Sequence, residues 1–198
     1  MNRMRKKEKL LLSFLLVGVL CGLAAFGIFA AFSSTTSNAN NSFDAGTVAI
    51  GDNDANSALY NVTNAKPGTS QSSCIKVTYT GSLAADVRLY TPSTVGSVGQ
   101  YIDLTITPGT QAVSTFPSCT GFVADATGPI YSGTLANFAS TKNSYANGIA
   151  TYPFGTTSWV NNSSDVYQFT VTLQSSAPDS AQGQSTGSHA FTWEARNQ

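Results

Sequence analysis

The chain has 198 residues, with ten basic and ten acidic side chains, one histidine and three cysteines. Charged residues make up 10 % of it, against about 25 % in an average soluble domain. Ser, Thr, Asn and Gly take their place, which is the composition of extracellular β proteins and not of disorder. The scattered Lys66, Lys76, Arg88, Lys142 and Arg196 form no phosphate-binding footprint, so nucleic acid is excluded as a partner.

Arg3, Arg5, Lys6, Lys7 and Lys9 crowd the first nine residues, with Glu8 alone against them. No charge follows from Leu10 until Asp44, and Leu10–Phe32 is rich in Leu, Val, Phe, Ala and Gly. This is the pattern of an export signal, residues 1–30, making transient contact with the membrane. The run is longer than a usual signal core of roughly 7–15 residues. An apolar helix of about 20 residues spans a bilayer, so an uncleaved anchor is the alternative. Gly18, Gly22 and Gly27 with Ala24 and Ala25 soften its second half, and Ile28-Phe29-Ala30 fits the small-residue rule for cleavage between Ala30 and Ala31. Cys21 lies mid-run after Leu20, so it lacks the lipoprotein context and reads as apolar filler.

Cleavage leaves 168 residues, enough for one domain, and removes five basic and one acidic residue. The remainder carries five basic and nine acidic residues, a net charge of −4. The segment 33–42, SSTTSNANNS, is a polar arm, with Ala31 and Phe32 ahead of it and Phe43 behind. Freed by cleavage, it is expected to be flexible and able to add as a strand to another sheet.

Residues 43–198 read as a β-sandwich domain. Weak strand candidates at Gly46–Ile50 and Ala58–Val62 come first, with Gly-Asp-Asn-Asp between them. Asp52 and Asp54 there offer oxygen ligands for Ca²⁺ but lack the rest of a calcium loop, so a solvated turn is the competing account. After the Lys66-Pro67-Gly68 turn, Ile75, Val77 and Tyr79 alternate with Lys76, Thr78 and Thr80. Val87 and Leu89 alternate with Asp86, Arg88 and Tyr90, and Ile102, Leu104 and Ile106 with Asp103, Thr105 and Thr107. Pro108-Gly109 reads as a turn. Phe122–Ala124 and Thr157–Val160 are further weak strands, and Ala136–Gly155 reads as a long loop with at most one helical turn. Tyr167, Phe169, Val171 and Leu173 alternate with Gln168, Thr170 and Thr172, and Phe191, Trp193 and Ala195 close the pattern. Seven to nine short strands, each with one apolar face, give an all-β, antiparallel, jelly-roll-like two-sheet sandwich. Outside the cell, Cys74 and Cys119 read as a disulfide. Closing a loop of about 45 residues contributes on the order of 4 kcal/mol.

Several of these segments, in order, resemble one family. Ala31–Ile50 begins with Ala-Phe-Ser, continues as an Asn-rich arm and reaches Phe43-Asp44-Ala45-Gly46-Thr47. Asn64–Gly68, Gly81–Ala84, Ala181–Gln184 and Phe191–Ala195 follow. The segments 1–90 and 165–198 together resemble the TasA/camelysin family. The resemblance implies export through a signal peptidase of the SipW type and a jelly-roll-like sandwich. It also implies assembly into extracellular fibres of a biofilm matrix, where the N-terminal segment of one subunit completes the sheet of the next.

Camelysin also implies a metallo-endopeptidase, yet His189 is the single histidine and no His-Glu-x-x-His occurs. A catalytic zinc usually takes three protein ligands. His189 reads as a strand-end histidine on the Phe191/Trp193 face, and no Ser/His/acid set or carboxylate pair is marked. The expectation is a non-enzymatic chain without cofactor. A monomeric glycan-binding sandwich, stacking sugars on Tyr90, Tyr145 or Trp159, is the other alternative, and a type IV pilin is excluded by the missing early Glu and the cleavage position.

Overall fold

The computed structural model describes residues 6–26, 42 and 44–198, in two units that divide after Asp44. In the first unit, helix α1 (Lys6–Phe26) takes up the basic and apolar start of the chain, and its apolar side chains from Leu10 to Val19 are exposed. No helix among the described residues is long and apolar enough to cross a membrane. The cleavage residues Ala30 and Ala31 and the arm residues Phe32 and Phe43 lie outside the described residues.

The second unit is built from nine strands and a short helix. β1 (Ile50–Asp52), β2 (Ser70–Tyr79), β3 (Ala85–Tyr90), β4 (Ile102–Gln111), β5 (Phe122–Ala124) and β6 (Tyr131–Thr134) precede helix α2 (Leu135–Thr141). β7 (Ile149–Thr151), β8 (Ser164–Leu173) and β9 (Thr192–Asn197) follow it. One sheet runs β1-β2-β8-β4, and the outer edge of β4 is shared by β6, along Asp103–Ile106, and β5, along Gly109–Gln111. The second sheet runs β7-β3-β9. Every pairing is antiparallel. From β6 onward the chain changes sheet with each strand, so the fold is an all-β, two-sheet sandwich.

The period-2 alternation translates directly into burial. Ile75, Val77 and Tyr79 of β2, Ala85, Val87 and Leu89 of β3, Leu104 and Ile106 of β4, and Tyr167, Phe169 and Val171 of β8 all join one core. Their alternates face outward, where Ser70 and Thr172, and Ser72 and Thr170, pair their hydroxyls across β2 and β8 at 2.8 Å. The Lys66-Pro67-Gly68 turn forms as read. Pro67 presets its φ, Gly68 takes φ +86°, and the Thr69 N–H donates to the Lys66 carbonyl at 2.8 Å. Cys74 and Cys119 are joined by a disulfide, with Cα atoms 5.1 Å apart.

Five local readings need correction. Pro108-Gly109 is no turn, because both residues lie inside β4, opposite Tyr167 and Val166. The Pro108 carbonyl accepts from Asp125 N–H on the outer edge, so the missing proline N–H falls on that same edge, between β6 and β5, where no ladder bond is broken. Ala136–Gly155 is not a long loop: it holds most of α2 and all of β7. Thr134 caps α2 by accepting from Asn137 N–H at 3.2 Å, and Leu135 and Phe138, three apart on one face, enter the core. With two apolar anchors in seven residues, α2 is too short for a visible helical period. Ala58–Val62 forms no strand, and Gly46–Ile50 contributes only its last residue to one. Thr157–Val160 forms a single bridge, Trp159 to Ala85.

Candidate assembly groove

β9 pairs with β3 along one edge, from Tyr90 opposite Thr192 to Ala85 opposite Asn197. Among the described residues nothing pairs with its other edge. Phe191, Trp193 and Ala195 face the core as the alternation requires, yet all three stay half-buried, while their neighbours on β3 and β8 are closed off. Trp193 packs against Tyr167 at 5.4 Å and Phe169 at 5.9 Å between ring centroids, and Phe191 against Phe169 at 4.7 Å. The opposing wall is Ile50, Gly51 and Asp52 of β1 with Val77 of β2, and a cleft of about 190 Å³ lies between. The indole N–H of Trp193 is buried without a hydrogen-bond partner. A sheet edge with unpaired main-chain groups beside partly covered aromatic rings is the geometry that accepts an added strand.

His189 stands at the rim of this groove. The Gly187 carbonyl can only accept, so the contact at 3.1 Å places a proton on Nδ1. In the neutral ring Nε2 then accepts from the Tyr60 hydroxyl at 2.6 Å. Tyr60 packs at a tilt near His189 and Phe191, and burial pushes its phenol up. Both imidazole nitrogens are therefore engaged, Nδ1 within its own loop and Nε2 in joining Tyr60 to the segment that leads into β9.

The camelysin metallo-endopeptidase family model matches residues 6–142. The chain belongs to the camelysin family. The match spans 91–142, which the sequence motifs did not reach. No curated protein matches this chain.

The peptidase description of the camelysin family implies a metal, and the described residues do not fit one of that kind. Among them no group of three or more His, Cys, Asp or Glu side chains could hold a metal ion. His189 is bound through both nitrogens, and we derive no hydrolytic step. Asp52 and Asp54 turn their carboxylates onto their own loop. Asp52 Oδ1 accepts from Asp54 N–H at 3.1 Å, and Asp54 Oδ1 from Asn56 N–H at 2.6 Å. Desolvation raises the Asp52 carboxyl, against the Asp54 N–H that lowers it.

Of the sugar-stacking residues, Tyr90 and Tyr145 are both engaged by the Glu194–Arg196 ion pair, while Trp159 lies in the core. Trp159 is fully buried, with Nε1 donating to the Thr151 carbonyl at 2.5 Å, so its ring stacks on no ligand. Tyr145 is covered by the Arg196 guanidinium at 3.9 Å. Tyr90 donates to Glu194 at 2.7 Å, which raises the phenol and, with Arg196, lowers the Glu194 carboxyl. Sequence reasoning read β9 as a strand and missed that it is an open edge. Alternation reports which face is apolar and carries no signal about which edge is paired.

Proposed function

We propose that this camelysin-family chain is a secreted structural subunit of extracellular fibres or biofilm matrix. In this reading it is exported by its N-terminal segment, cut after Ala30 by a SipW-type signal peptidase, and assembled by donation of the freed segment 31–42. The carrying observation is the open edge of β9 with Phe191 and Trp193 half-covered beside it. A strand laid along β9 pairs main-chain groups and covers aromatic surface at once. Burying apolar area contributes about 25 cal/mol per Å². The scarcity of charge suits repeated contact between copies, because few ionised groups need desolvating.

The test uses secreted protein purified with its own N-terminus. Filaments are expected by electron microscopy, and deletion of residues 31–42 is expected to leave monomers. A synthetic peptide of residues 31–42, added to those monomers, is expected to slow amide exchange along Thr192–Asn197. Filaments of unchanged number and length after the deletion would rule out strand donation. Peptide protection confined to another edge would move the acceptor site.

A further inference from the structure

The cleft between β1 and β9 has an acidic wall with no base to answer it. Ile50, Asp52 and Val77 line one side, and Phe191 and Trp193 the other. Asp52 stands opposite Val77 in the β1–β2 ladder, and directly opposed residues share one face of a sheet. Val77 is a core residue, so the Asp52 side chain lies on the same inner face, at the cleft. Its Oδ1 accepts from Asp54 N–H at 3.1 Å, which occupies one carboxylate oxygen. The charged group acting on Asp52 is Asp54, a second acid. Among the described residues no basic side chain pairs with either. Across the cleft, the buried indole N–H of Trp193 lacks an acceptor. The cleft thus offers negative charge, aromatic faces and one donor, beside the unpaired main chain of β9.

An ammonium group followed by an apolar side chain answers these features together. The segment 31–42 has no ionisable side chain. In the strand-donation reading, on which this inference rests, cleavage after Ala30 gives that segment one charge, the α-ammonium of Ala31. Phe32 stands next to it. We propose that the β1–β9 cleft captures the freed N-terminus of a second copy of this chain, with the Ala31 ammonium held by Asp52 and the Phe32 ring packed on Phe191 and Trp193. Carboxylates and aromatic faces both attract cations, and capture of an N-terminal amine is a recurring mode of peptide binding. A carbonyl or hydroxyl of the incoming strand supplies the acceptor that Trp193 lacks. Capture at this end also fixes the direction of the arm. The rest of the open edge runs from Trp193 to Asn197, so the arm lies parallel to β9. Its twelve residues span about 40 Å when extended and the six of β9 about 20 Å, which leaves chain to reach the donor's own domain. The uncut chain has no ammonium at Ala31, so recognition waits for cleavage.

The test uses secreted protein purified with its own N-terminus and reads the critical concentration for filament assembly by sedimentation. Selective acetylation of the Ala31 amine is expected to raise it about fivefold, the scale of a partly exposed ion pair with a cation–aromatic contact. Asp52→Asn removes the charge but keeps an oxygen for the Asp54 N–H, and an equal rise is expected. Phe32→Ala is expected to raise it as well. In Asp52→Asn, acetylation should have no additional effect, because both changes remove the same contact. A merely structural role for Asp52 would leave the acetylation effect intact. Asp103→Asn, at an exposed acid of β4, should leave assembly unchanged. Acetylated protein that assembles at the parent's concentration overturns amine capture and leaves strand donation standing. An acetylation effect of full size in Asp52→Asn overturns it equally. Should Asp52→Asn fold poorly, acetylation of the parent carries the test alone. If the parent forms no filaments, the strand-donation reading fails and this inference with it.

Discussion

Raising the pH probes Asp165, buried on β8, most directly. Its carboxyl shifts from an ordinary 3.8 to about 7, chiefly because burial disfavours the charged form. The native state therefore binds a proton more tightly than the unfolded chain. Its stabilising contribution is complete below the unfolded value and is lost as pH rises through about 7. Each tenfold difference in proton affinity between the two states is about 1.4 kcal/mol, so the full window is worth about 4 kcal/mol. Roughly 2.5 kcal/mol of it falls between pH 5 and pH 8. Asp165 is closed off from water, so no large discount for solvent screening applies. Asp125 is also raised by burial and adds in the same sense. Urea unfolding should show a midpoint lower by about 1 M at pH 8 than at pH 5, for a slope of about 2 kcal/mol/M. In Asp165→Asn most of that dependence should disappear. Stability that is flat or rises over the same range would refute the reasoning.

Three further outcomes follow from other parts of the fold. Replacing Cys74 and Cys119 together by Ser opens a loop spanning 45 positions and should cost about 4 kcal/mol, read as the change in urea unfolding free energy. Trp159→Phe keeps an aromatic ring in the core but leaves the Thr151 carbonyl buried without its indole donor; a loss of about 2 kcal/mol by the same assay is expected. Gly68→Ala places a Cβ at φ +86° in the turn before β2. A loss of about 1 kcal/mol is expected, and an unchanged midpoint would show that the turn is not held to this conformation.

Much of the core could be read along the chain because each half-buried strand writes its orientation into every second residue. Ile75, Val77 and Tyr79, then Leu104 and Ile106, then Tyr167, Phe169 and Val171 are inward positions by alternation, and the structure buries them. The misreadings share a cause. Pro108-Gly109 has turn chemistry but lies within β4, where only the neighbouring strand arrangement makes a missing N–H harmless. Trp159 belongs to no long alternating run, and one bridge to Ala85 draws it into the core.

The sequence by itself determined the period, the fold class and the basic apolar start, since these are local properties of charge and hydrophobicity. Which strand ends a sheet, and which polar atoms meet, depends on pairings between residues far apart in the chain. Tertiary structure alone therefore decided that β9 is an open edge, that His189 is tied to Tyr60, and that Asp165 is closed off from water.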